Sequence, residues 1–297
     1  MLAVQEVVTD PVADQSDQAL DIARLTGRIG AVIRGIDLSE RLTEATVKAI
    51  RAALVRHKVI FFRGQTGLDD VRHEEFAAQL GTPLVHPTLQ VAAGTRYVLE
   101  LDSREIGPGL PWHTDMAFLP DGSAISILRS VVVPDVGGDT LWANTAAAYR
   151  DLPNPLKALV EGLRAVHTKI RLINGSTAYE TEHPVVTVHP ESGERCLLLG
   201  PSAPIAGHFV RNFVGFSDQD TKRLLAILQD YVTSPENTVR WKWNVGDVAL
   251  WDNRATQHRV VADTDGQHRH VRRVTLAGSV AVGIDGKPSR LLKPEST

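Results

Sequence analysis

The stretch WHTDMAF sets His113 and Asp115 two residues apart, between a tryptophan and apolar neighbours. Alternate residues of a β-strand share a face, so a strand here projects an imidazole and a carboxylate together. Buried side by side, such a pair is costly unless something compensates it, and a divalent metal does so. WDNRATQHRVV adds a distant His258, and QHRHVRRVTLAG places Arg269, Val271, Arg273 and Thr275 on one face of a predicted strand. Two histidines and one carboxylate are the donor set of the non-haem Fe(II) facial triad, which leaves coordination positions open. Arginine suits bidentate recognition of carboxylates, so two arginines on one face of an apolar strand imply anionic partners. Ion pairs with Asp263 or Asp265 are the structural alternative.

These residues need elements to position them. Thr43 is a plausible cap for a helix with Val47, Ile50 and Leu54 at helical spacing. KVIFF, a continuous apolar run ended by Arg63-Gly64, reads as a buried strand. A second helix runs from about Asp69 to Leu80 and stops at Gly81. From residue 95 short β-rich segments dominate, interrupted by a helix over SDQDTKRLLAILQDYV, with Ser217 as cap and Leu224, Leu228 and Tyr231 along one face. Trp241, Trp243 and Trp251 read as core aromatics and Cys196 as a small buried hydrophobe. His167, His183, His189 and His208 read as surface or loop residues, and Arg272, out of phase with Arg273, faces away from it. The pattern is mainly β with flanking helices. It divides into a poorly ordered segment 1–20, one domain over 21–282 and a tail over 283–297.

With 43% hydrophobic and 23% charged residues and a net charge of −3, the 297-residue chain has no electrostatic reason to bind nucleic acid or an anionic membrane. No apolar run approaches the roughly 20 residues of a membrane span, and the first residues lack the basic and apolar regions of a secretory signal. A single cysteine excludes an intrachain disulfide framework and a CxxC metal site. The expectation is a cytoplasmic protein acting on a small molecule, with homo-oligomerisation left open.

WHTDMAF, GGDTLW, WDNRATQH and HRHVRRVTLAG resemble, in their order, the TauD/TfdA family of Fe(II)/2-oxoglutarate-dependent dioxygenases. The resemblance runs from about residue 25 to 280 and implies a double-stranded β-helix (jelly roll) core. It implies that His113, Asp115 and His258 ligate Fe(II). It also implies that Thr140 and Arg269 hold the distal carboxylate of 2-oxoglutarate, and that O2 takes the remaining coordination position. Arg273 matches an arginine that meets the anionic head of sulfonate or sulfate substrates, and His86 a histidine at the substrate mouth of the taurine enzyme. A zinc-bearing or non-catalytic jelly-roll binding module is the alternative class, and it has no use for the Thr140–Arg269 pair.

Within the family, HKVIFFRGQ, TLWANTAAAY, PENTVRW and WDNRATQHR look closest to the alkyl-sulfatase branch. Three features depart from it or from the taurine enzyme. KIRLINGSTAYETE between His167 and His183 is short, GPSAPIAGHFVRNF is extended, and Leu89 stands where the taurine enzyme has a tyrosine. Leu89 and Leu119 suggest an apolar wall. The expected substrate is an apolar, bulky acid or lactone of terpenoid type, as in the pentalenolactone-forming members of antibiotic biosynthesis. An alkyl sulfate or a taurine-like sulfonate is the alternative.

Overall fold

The computed structural model describes residues 20–87, 89–106, 111–170, 177–201 and 207–293. Residues 1–19 of the expected N-terminal segment lie outside them, whereas Leu20 is buried. The largest sheet has eight strands. Its path runs Asp21–Arg24, Ala31–Arg34, Val59–Phe62, Val248–Asp252, Ser123–Val132, His270–Ala277 and Pro83–Leu84, and Leu99–Asp102 also pairs with His270–Ala277. A three-stranded sheet ordered Thr238–Trp241, Thr140–Asn144, Thr256–Val260 carries Thr140 and His258. A four-stranded sheet holds His208–Phe213, Arg164–Ile170, Thr177–Pro184 and Arg290–Lys293. The fold is mainly β, as expected, with six α-helices among the described residues.

Both faces of the large sheet are covered, which is why its central strands read as continuous apolar runs. Ile60, Phe62, Ile127, Val248, Leu250 and Val274 face the helices Glu44–His57 and Asp70–Leu80, whose Ile50, Leu54, Phe76 and Leu80 fill that layer. Alternate residues Val59, Phe61, Leu128, Ala249, Trp251 and Val271 face inward and meet Trp142, Trp241 and Trp243. Phe61 stacks on Trp241 at 4.0 Å between ring centroids, an arrangement that adds to the area buried. All three tryptophans expected in the core are there.

The helix starts follow their local signals. Thr43 Oγ1 accepts from Thr46 N and Asp69 Oδ1 from Arg72 N, each satisfying an otherwise orphaned N–H. Ser217 caps the helix Asp218–Val232, which buries Leu224 and Leu228. Arg129 and Arg272 reach out from the large sheet to Asp70 in the first turn of its helix, so Arg272 does face away from the interior. The C-terminal reading is corrected: Arg290–Lys293 pairs antiparallel with Thr177–Pro184, and Gly283 and Pro288 form bridges. The polar composition there reads as a tail, but the strand is held by backbone hydrogen bonds, which composition does not report. No helix among the described residues is long and apolar enough to cross a membrane.

Candidate active site

His113 and Asp115 do not lie on a strand as expected. His113 forms an isolated antiparallel bridge with His258, each backbone N–H donating to the other's carbonyl at 3.0 and 2.9 Å. The chain then turns at Asp115, and Met116 takes a left-handed φ of 54°. The turn still delivers the carboxylate to the imidazoles: Asp115 Oδ1 lies 3.8 Å from His113 Nε2 and 3.9 Å from His258 Nε2. One ligand atom from each of the three falls within 4.8 Å of the others, a group that could hold a metal ion. His113 Nδ1 lies 2.7 Å from the Pro111 carbonyl and so carries the hydrogen, which leaves Nε2 with its lone pair toward Asp115. His258 packs its ring on Trp251 at 4.7 Å.

The electrostatics suit a dication. Burial pushes both histidines below their ordinary pKa, His258 well below, so both are neutral ligands at pH 7. Burial works against the Asp115 carboxylate, but the Arg273 guanidinium foremost, with a hydrogen bond from Ser126, holds the group ionised far below the usual carboxylate range. Arg273 Nη1 donates to Asp115 Oδ1 at 2.6 Å. Two neutral imidazoles and one carboxylate fit Fe(II) in charge and donor type.

Arg269 and Thr140 also meet. Arg269 Nη2 is 3.4 Å from Thr140 Oγ1, and its Nε donates to the Gly138 carbonyl at 2.9 Å. Trp243 Nε1 donates to the same threonine oxygen at 3.0 Å. Burial lowers the Arg269 pKa to about 10, with Asp139 opposing, and among the described residues no carboxylate pairs with it. A buried guanidinium without a paired carboxylate suits an anionic ligand. The Gly137-Gly138 turn makes it possible: both glycines have φ near +70°, and a Cβ on Gly137 would overlap the Asp263 carbonyl. Asp263, offered by the sequence as an ion partner for the arginines, pairs with Arg240 instead.

His86 sits edge-on to Phe118, at 6.4 Å between centroids. Burial first, and then Arg273, lowers its pKa to about 3, while Asp115 pulls the other way, so His86 lies in the field of the same two groups. Leu89 is 44% exposed, and Leu119 lines a cavity of about 580 Å³ behind the turn with Val188, Val280 and Val282. Of the two loop departures, residues 171–176 and 202–206 lie outside the described residues.

Four histidines depart from their sequence reading. His167, His183, His189 and His208 are all buried. His183 bonds the Ala117 carbonyl at 2.9 Å and Ser289 Oγ at 2.6 Å, which braces the turn after Asp115. His189 Nε2 lies 2.9 Å from Asp252 Oδ2. His208 stands 5.8 Å from Phe118 between ring centroids and feels both His113 and Asp115; burial is the main cause of its lowered pKa, about 3. The alternation of HPVVTVHP and of RAVHTKI was the available signal, but alternation names a face without saying what covers it. Cys196 is buried as expected, its thiol pushed up to about 12 by burial.

A family model described as taurine catabolism dioxygenase TauD, TfdA family, matches residues 21–275. The chain belongs to the TauD/TfdA family. It is an Fe(II)- and 2-oxoglutarate-dependent dioxygenase, an oxidoreductase that uses O2. An α-ketoglutarate-dependent sulfate ester dioxygenase of Pseudomonas putida is 55% identical over 91% of this chain and 94% of its own length. An alkylsulfatase of Acinetobacter baylyi is 48% identical over 94% of this chain and 91% of its own. Among solved structures, a taurine dioxygenase from Burkholderia xenovorans superposes with a TM-score of 0.83 at 40% identity, covering 93% of this chain and 95% of that one. Pentalenolactone F synthase of Streptomyces avermitilis is similar at only 28% identity over 86% of this chain and 94% of its own. The lean toward a terpenoid acid in antibiotic biosynthesis therefore gives way to its alternative: the loop differences that motivated it weigh less than identity spread along the whole chain.

Proposed function

We propose that this dioxygenase oxidises alkyl sulfate esters and releases their sulfate. The observation that carries the reading is the near full-length 55% identity with a sulfate ester dioxygenase, in a chain that also sets a buried His–Asp–His group against Arg273 and buries a second arginine, Arg269. In this reading His113 Nε2, Asp115 Oδ1 and His258 Nε2 hold Fe(II). Thr140 and Arg269 take the distal carboxylate of 2-oxoglutarate. Arg273 and His86 face the sulfate head. When bound, iron with 2-oxoglutarate and O2 supplies an oxidant that places one oxygen atom on a substrate C–H and the other in succinate, with loss of CO2.

The protein's part is to aim and to exclude. His86 is neutral at pH 7, so it offers a hydrogen bond and Arg273 supplies the charge. A sulfate held there presents its α-carbon to the triad. Hydroxylation of that carbon gives R–CH(OH)–O–SO3⁻. The hydroxyl then loses its proton as the C–O bond to sulfate breaks, leaving an aldehyde and hydrogensulfate. Burial of the triad keeps bulk water from competing with the substrate.

A substrate panel of medium-chain alkyl sulfates, taurine and a polycyclic terpenoid acid tests the proposal, with succinate and free sulfate measured together. Stoichiometric sulfate and succinate from the alkyl sulfates, with little turnover of the others, is the expected result. Turnover confined to the terpenoid acid or to taurine would reject it.

A further inference from the structure

The two oxygens of Asp115 are treated differently by the fold. Oδ1 faces both histidine Nε2 atoms and Arg273. Oδ2 accepts a hydrogen bond from Ser126 Oγ at 2.8 Å. Behind Ser126 stands a line of buried polar groups: Asn253 Nδ2 donates to Ser126 Oγ at 2.9 Å, and Trp251 Nε1 donates to Asn253 Oδ1 at 2.9 Å. None of the three residues is more than 2% exposed.

The direction of this line is set at its far end. An indole N–H donates and never accepts, so Asn253 turns its carbonyl to Trp251 and its amide N–H to Ser126. Ser126 Oγ has then accepted, and its one hydrogen goes to Asp115 Oδ2. Turning Asn253 over would set two donors against each other at Trp251, where both residues are buried.

We propose that Trp251, Asn253 and Ser126 are positioning residues that reserve Oδ2 as a hydrogen-bond acceptor and so restrict Asp115 to binding metal through Oδ1 alone. A carboxylate can ligate through one oxygen or two. A second oxygen on the metal would take a position that 2-oxoglutarate or O2 needs. The inference rests on reading His113, Asp115 and His258 as the metal ligands. Asn253 belongs to the turn that leads to His258, and its own N–H is tied to the Ala124 carbonyl at 2.9 Å, so one turn sets both the carboxylate rotamer and the approach of the second imidazole.

The test uses Co(II) in place of Fe(II), with affinity read by calorimetry and coordination by its visible d–d bands. The proteins are wild type, Asp115→Ala, Ser126→Ala, Trp251→Phe and the double variant Ser126→Ala/Trp251→Phe. Asp115→Ala is expected to lose Co(II) binding. Ser126→Ala and Trp251→Phe are expected to bind roughly 10–100-fold more weakly, with altered d–d bands and an unchanged far-ultraviolet dichroism spectrum. The double variant should be no worse than Ser126→Ala, because both changes break one line. Wild-type binding by Asp115→Ala would reject the ligand reading itself. Loss in Asp115→Ala, with wild-type affinity and bands in both relay variants, would overturn the relay alone. Should Trp251→Phe fail to fold, Ser126→Ala decides by the same criteria.

Discussion

At the scale of single residues, the two arginines differ in what surrounds them. Arg273 already has a carboxylate at 2.6 Å, whereas Arg269 is 9% exposed and its side chain has, among the described residues, only neutral partners, the Gly138 carbonyl and Thr140 Oγ1. A buried guanidinium gains most from a ligand that brings the missing charge. Arg269→Ala would leave the 2-oxoglutarate carboxylate without its ion pair, a loss of about 2–5 kcal/mol. The KM for 2-oxoglutarate should rise well over tenfold while the protein remains folded. An unchanged KM would move the carboxylate receptor elsewhere, with Arg273 the next candidate.

At the scale of elements, the turn between the strands Val248–Asp252 and Thr256–Val260 decides where His258 comes to rest. Asp252 Oδ1 accepts from Arg254 N and Nε, its Oδ2 from Arg254 Nη2 and His189 Nε2, and its backbone carbonyl from Thr256 Oγ1. His189 Nδ1 accepts from the backbone N–H groups of Glu191 and Ser192, which leaves Nε2 as the donor. Burial opposes the Asp252 charge, yet Arg254 and His189 hold its pKa at about 2. Removing one partner of a buried pair costs about 3–5 kcal/mol. Arg254 would keep Glu191 at 2.7 Å, so Asp252→Ala should destabilise by an amount near the lower end of that range. Urea unfolding measures it, and a loss below about 1 kcal/mol, the scale of an exposed ion pair, would show that the network adds little.

Across the whole molecule, buried histidines make stability depend on pH. Burial lowers the pKa of His73 and His208 to about 3 and of His183 to about 4. In the unfolded chain each takes up its proton near 6.5, so between these values the unfolded state binds more protons and stability rises with pH. Each group contributes a loss of about 1.4 kcal/mol per pH unit below 6.5. For the three together the loss at pH 5.5 is on the order of 4 kcal/mol. Melting at pH 7.5 and 5.5 checks this: a marked fall in Tm at the lower pH is expected, and equal values would mean that these histidines titrate normally in the fold.

What the sequence determined by itself is what short-range chemistry encodes. The caps Thr43, Asp69 and Ser217 sit where helices begin because each satisfies an N–H three residues away. The donor types at 113, 115 and 258 pointed to a metal and the two arginines of HRHVRR to an anionic partner, because those properties belong to the side chains, whereas the role of Thr140 in GGDTLW came from the family resemblance. The tertiary structure alone decided how they meet. The strand expected at WHTDMAF is instead a bridge and a turn, fixed by pairing between His113 and His258 across 145 residues of chain. The four histidines read as surface groups are buried because neighbouring strands and the 117–118 turn cover a face that polar alternation marks as open. Leu89 faces solvent, and Arg290–Lys293 joins a sheet, for the same reason. Hydrophobic period and residue type are local, but register, and which face another strand comes to cover, are set by contacts between distant segments.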